Sequence, residues 1–178
     1  MSKVNKLLKK FESVIKEPWS QGLSGQEKVW FLIFDPADLK KVYFNLGEFE
    51  IATKNANREW LLISLNSCFT NWLSGHDYRE EFFKEPEYIS DALQSDFREY
   101  ISKEISIALE QNSPTTLVVL KDVSAIFGFI KLSEIVQDIS NKIQGRLMVL
   151  FPGEYTNNQY RLMDARDGWN YLARPIMI

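Results

Sequence analysis

RLMVLFPGEY, residues 146–155, holds five consecutive apolar side chains, Leu147 to Phe151, ahead of Pro152-Gly153. A short uninterrupted apolar run bounded by turn residues is the pattern of a strand buried on both faces. Strands of that kind occupy the middle of parallel sheets, and the segment leaving their carboxyl end is where open α/β folds place their sites. Here that segment is residues 152–158, expected to stop the strand at Pro152-Gly153 and continue as a loop.

Working outward, three more runs have strand character: residues 28–34 (KVWFLIF), 59–65 (EWLLISL) and 115–121 (TTLVVLK). Helical patterns separate them. Val4, Leu7, Leu8, Phe11, Val14 and Ile15 give residues 3–16 one apolar face. Asp35-Pro36-Ala37-Asp38 reads as a helix start, with Asp35 as cap, Pro36 in the first turn and Asp38 at the positive dipole end. That helix is expected to continue towards Lys54 despite Gly47. A short helix ends at Gly75, a charged aromatic stretch (77–88) is helical up to Pro86, and residues 91–111 form the longest helix. Residues 122–131 read as a loop around Gly128. Leu132, Ile135, Val136, Ile139 and Ile143 form the last stripe, closed by Gly145 in a left-handed cap position. Residues 159–163 and 171–176 are short candidate strands, split by a polar turn at 164–168.

Alternating strands and helices predict one α/β domain over residues 1–178. It has three layers, with a mostly parallel central sheet of about five strands flanked by helices and mixed at its C-terminal edge.

Composition narrows the function classes. A net charge of −3 disfavours a broad phosphate-gripping face, so no direct nucleic-acid binding is expected. No apolar run is long enough to span a membrane and no leader pattern opens the chain. One cysteine excludes an internal disulfide framework and fits a reducing compartment, so the cytoplasm is the expected location.

Catalytic patterns are sparse. No glycine spacing matches the Walker or GxGxxG phosphate loops, and Gly22-Leu23-Ser24-Gly25 precedes a strand instead of joining strand to helix. With one His and one Cys, the common zinc sets cannot be assembled within the chain. Asp35 and Asp122, each following a buried strand, are the best placed carboxylates for Mg²⁺, although capping already explains Asp35. Cys68 reads as a packed thiol, His76 as a helix-end residue, and Glu80-Glu81 as a solvated face. Pro152, Gly153, Glu154, Tyr155, Arg161, Asp164 and Arg174 gather at the sheet end, where turn geometry and ion pairing account for them without a ligand.

Several stretches resemble the BrxB family of BREX (bacteriophage exclusion) systems. They are the apolar strand Leu117 to Leu120, the helix Leu132 to Ile143, the Phe151-Pro152-Gly153-Glu154-Tyr155 turn, Arg161-Leu162, and the finish from Tyr171 to Arg174. FLIFDP at residues 31–36 matches the family's early strand and Asp-Pro helix start. The likeness is clear over 115–176, fair over 28–65 and faint between 77 and 111. Lys131 stands where an arginine is usual. The resemblance implies membership in an antiphage complex with a methyltransferase, a large ATPase and a PglZ-type phosphatase-like protein. It brings no catalytic residues.

The expectation is therefore a non-enzymatic, partner-binding subunit without cofactor or metal, bridging to the PglZ-type protein. Its contact residues would be Pro152, Gly153, Glu154, Tyr155, Arg161, Arg174, Ile176, Met177 and Ile178. The apolar Ile176-Met177-Ile178 would form a sheet edge, since Pro175 cannot donate a ladder hydrogen bond. Two other classes compete. One is a degenerate nucleotide-binding or Mg-dependent phosphoester hydrolase using Asp35, Asp122 and Glu154. The other is a DNA-binding module, disfavoured by the acidic balance.

Overall fold

The computed structural model describes residues 2–162, 165–166 and 172–178. Asp164 and Tyr171, both singled out above, lie outside the described residues.

Helix α1 (Lys3–Ile15) is capped by Ser2, whose hydroxyl accepts from the Asn5 N–H. It leads through a loop into β1 (Val29–Phe34), every residue of which is buried. Asp35 then caps a 3₁₀ turn (Pro36–Asp38) by accepting from the Ala37 N–H at 2.9 Å. The expected single helix is two, α2 (Leu39–Phe44) and α3 (Leu46–Asn55), broken at Asn45 and not at Gly47. Asn45 folds its own amide back onto the Lys41 carbonyl, ending α2 locally. Strand β2 (Glu59–Ser64) follows, then α4 (Cys68–Ser74), α5 (Arg79–Lys84), α6 (Ile89–Ala92) and α7 (Arg98–Glu110). A π turn (Leu93–Phe97) joins α6 to α7, so the long helix expected over 91–111 is continuous but locally widened. Beyond β3 (Thr116–Lys121), part of the expected loop is a 3₁₀ turn (Val123–Ile126). Helix α8 (Leu132–Ile139) then leads to β4 (Arg146–Thr156). Strands β5 (Gln159–Leu162), β6 (Ala165–Arg166) and β7 (Arg174–Ile176) complete the chain.

Five strands pair in parallel in the order β2-β3-β4-β1-β7, and β5 and β6 extend β4 as an antiparallel ribbon. The fold is thus the three-layer α/β arrangement, mixed where the C-terminal strands attach. Alternation along the strands sorts the core into two clusters. Phe31, Val118, Leu120, Leu147 and Val149 face α4, α7 and α8; Trp30, Leu32, Leu117, Val119 and Met148 face α1, α2 and α3.

Two expectations about β4 need correction. It does not stop at Pro152-Gly153 but continues to Thr156, leaving the parallel sheet to pair with β5. Asn157 and Asn158, both at positive φ (51° and 59°), supply the two-residue turn that this hairpin twist requires. Gly145 is not in a left-handed conformation. A Cβ there would lie 2.1 Å from the Thr116 carbonyl oxygen, so glycine permits the close approach of the segments entering β3 and β4.

Helices α7 and α8 are tied by Arg98, which donates to both Asp138 oxygens at 2.7 and 2.8 Å. The Arg98 guanidinium holds the Asp138 carboxyl below its usual range. A depressed folded-state value means the contribution is present above the unfolded pKa and is lost as pH falls through the folded one. Arg98→Gln is expected to cost about 1 kcal/mol at neutral pH, the pair being partly exposed. The gap from the parent should shrink as pH drops below about 4, as urea denaturation across pH would read.

Candidate functional site

The chain leaving β1 turns to the face covered by α2 and α3, whereas the chain leaving β4 turns to the opposite face, where Tyr160 and Leu162 enter the core. Diverging connections from neighbouring strands open a crevice at their carboxyl ends, the usual ligand position in such sheets. A cavity of about 520 Å³ lies there.

Its floor is Ile33, Phe34 and Gly153, at the ends of β1 and β4. One wall is the face of α1 carrying Val4 and Leu7, with Val42 of α2 beside it; Tyr155 and Thr156 of the hairpin, with Met177 and Ile178, line it too. Charges gather as well: Asp35, Asp38 and Glu154 against Lys3. Lys3 approaches Asp35 at 4.0 Å. A hydrogen bond of 2.8 Å from Lys41 holds the Asp38 carboxyl below the usual range. The lining is therefore mostly apolar with an acidic rim.

In doubly wound folds a phosphate would sit against the free N–H groups after the first strand. Here the Asp35 carboxylate already occupies that cap through Ala37. Together with Asp38 and Glu154 it makes the crevice repel phosphate and suit a cationic or apolar group.

The hairpin wall is fixed from below. Tyr160 is fully buried, stacks within 4.4 Å of Phe31 and 4.6 Å of Tyr155, and donates its hydroxyl to the Ala173 carbonyl at 3.2 Å. Burial pushes its phenol well above the ordinary tyrosine range. The Tyr155 hydroxyl donates to the Asn158 side-chain oxygen at 2.9 Å, bracing the turn. At Gly153, an added Cβ would meet the Arg161 carbonyl oxygen at 2.1 Å, which explains glycine at that crossing.

Of the residues named from sequence, Gly153, Glu154, Tyr155, Met177 and Ile178 line this cavity. Pro152 is buried in β4 opposite Phe34, at the last residue of β1. Arg161 sits across the hairpin from Glu154. Arg174 is engaged by Glu17 at 2.8 Å. Ile176 is 0% exposed within the core, so it cannot be a contact surface. Pro175 does lie on an edge strand, β7, as expected.

The three carboxylates of the hydrolase alternative do not all meet. Asp35 and Glu154 share the cavity; Asp122 does not line it. Its carboxylate accepts from the Ser64 hydroxyl at 2.5 Å, and its N–H donates to the Tyr43 hydroxyl at 2.9 Å, in a left-handed backbone (φ 62°). Burial pushes the Tyr43 phenol up to about 12. Among the described residues, no three His, Cys, Asp or Glu side chains gather in a metal-binding arrangement. The Cys68 thiol is pushed up by burial. His76 is wedged among Trp72, Tyr78 and Phe82 and accepts from the Tyr78 N–H at 3.1 Å, a packed residue more than a surface one.

Sequence reasoning missed Lys3, Val4, Leu7, Ile33, Phe34, Asp38, Val42 and Thr156 as cavity residues. The apolar stripe of α1 marked Val4 and Leu7 as buried, but nothing local said that they border a void.

No curated protein and no solved structure matches the chain. Among the described residues no helix is long and apolar enough to cross a membrane. A family model described as BREX protein BrxB matches residues 66–175, over half of the chain, running from just after β2 into β7. The chain belongs to the BrxB family, a component of BREX phage-defence systems.

Proposed function

We propose that the chain is a non-enzymatic subunit that binds a larger BREX protein through the crevice between the ends of β1 and β4. The PglZ-type subunit is the partner this reading names. One observation carries it: the position where this fold binds ligands is an apolar, acid-rimmed cavity whose phosphate-binding cap is filled by Asp35. Such a lining suits an inserted apolar side chain flanked by lysine or arginine better than a nucleotide.

Met177 and Ile178 lie on the cavity wall and are partly exposed, so they can be changed without opening the core. The Met177→Asp/Ile178→Asp double variant is expected to lower co-purification of the PglZ-type subunit by about tenfold or more when the whole operon is expressed. Its melting temperature should stay within about 3 °C of the parent. Undiminished capture would remove the cavity from the interface. Loss of a different BREX subunit would keep the cavity and change the partner. Robust nucleotide or phosphoester turnover by the purified protein would overturn the non-enzymatic reading.

A further inference from the structure

At the opposite end of the sheet, where the parallel strands begin, two arginines share one indole. Arg58, just before β2, places its guanidinium carbon 4.3 Å from the Trp19 ring centroid; Arg146, the first residue of β4, lies 5.1 Å from it. Trp19 is held in turn by the edge of Trp30, 5.8 Å away and perpendicular. Arg146 is 3% exposed, and it donates to the carbonyls of Gly145 (2.9 Å) and Ser20 (3.1 Å).

Among the described residues neither guanidinium has a counter-charge: no carboxylate comes within ion-pair distance of either. The adjacent acid, Glu59, is already engaged by the hydroxyls of Ser113 and Thr116 at 2.7 and 2.6 Å. The last carbonyls of α3 accept from the backbone N–H groups of residues 56–58, not from the Arg58 side chain. Arg58 Nε and Trp19 Nε1 are both buried with no hydrogen-bond partner. The Arg146 guanidinium is pushed below its usual range, first by burial and then by repulsion from Arg58.

Buried cations are ordinarily paired, and buried N–H donors ordinarily find acceptors. Here two guanidiniums share one indole with no carboxylate beside them among the described residues, and two buried donors of the same cluster have no acceptor. From this geometry we infer an oxyanion site of the phosphate class, formed by Arg58, Arg146 and the Trp19 indole N–H at the amino end of the sheet. A dianion matches the two charges, and its several oxygens can accept from more than one donor at once; a monocarboxylate carries only one charge. This site is separate from the acid-rimmed cavity and does not depend on the reading given for it. Phosphate bound here would pin the loop between α1 and β1 to the starts of β2 and β4.

The test is thermal denaturation and calorimetric titration of the full chain with inorganic phosphate, methyl phosphate and acetate, each against chloride at equal ionic strength. Saturable stabilisation by phosphate, absent with acetate, is the expected result. Arg58→Gln, which removes a half-buried guanidinium that makes no hydrogen bond, should weaken phosphate binding by about tenfold or more. Trp19→Phe, which keeps the ring and deletes the N–H, should weaken it less. Tighter binding of methyl phosphate than of inorganic phosphate assigns the site to a phosphate ester; the reverse assigns it to the free ion. Phosphate acting no better than chloride on the parent protein would overturn the proposal, as would an Arg58→Gln variant that folds and binds phosphate like the parent.

Discussion

Val149→Asp is expected to show no cooperative thermal transition at neutral pH. Val149 is 0% exposed at the middle of β4, aligned with Phe31 of β1 on one side and Leu120 of β3 on the other. Its side chain enters the cluster under α4, α7 and α8, where its neighbours are hydrocarbon. An aspartate there would be an unpaired charge taken out of water, which costs several kcal/mol even after its pKa rises. Folded domains hold only about 5–15 kcal/mol in reserve. Val149→Ala separates this charge penalty from packing, because it removes only two methyl groups and should cost about 2 kcal/mol. Circular dichroism melts of the two variants make the comparison. A parent-like melt for Val149→Asp would mean that β4 is not buried between β3 and β1.

The second large effect belongs to Gly153→Ala. Its Cβ would lie 2.1 Å from the Arg161 carbonyl oxygen and 2.7 Å from the Phe151 ring. The first contact is backbone, so it cannot be relieved by a side chain swinging aside. The β4–β5 hairpin must move, and Tyr160 is anchored in the core beneath it. A loss of about 3 kcal/mol is expected from urea denaturation, at the upper end of ordinary overpacking. Gly47→Ala serves as the control: it sits inside α3 with nothing within 4 Å of a new Cβ. There the same substitution should stabilise by about 0.5–1 kcal/mol. Because Glu154 and Tyr155 follow Gly153 directly, partner capture should fall for Gly153→Ala and remain intact for Gly47→Ala. Equal melting of the two variants would mean that the hairpin does not cross at Gly153 as described.

Element identity was legible because burial is written locally. A strand covered on both faces must be apolar at every position, as in residues 147–151, and a helix covered on one face must repeat every three to four residues, as in α1 and α8. Asp35-Pro36 announced its turn because capping needs only neighbours two residues away. The family resemblance was legible for the same reason: it rides on contiguous strings such as FPGEY. What those patterns do not carry is adjacency. Period-2 burial says which face a side chain takes, not which strand lies beside it, so β4's place between β3 and β1 came only from the assembled sheet.

The errors follow that division. Pro152-Gly153 is turn chemistry locally, yet β5 pairs across it and carries the strand on to Thr156. Gly145 suits a helix cap locally, yet the Thr116 carbonyl, from another strand, is what requires it. The cavity joins side chains near residues 3, 35, 154 and 177, and the arginine cluster joins residues 19, 58 and 146. Local sequence determined the strands, the helices and their buried faces, because those depend on a few successive residues meeting water or not. Only the tertiary structure decided strand order, the reach of β4 and both clusters, because each arises where segments distant in the chain are brought together by the packing of the whole.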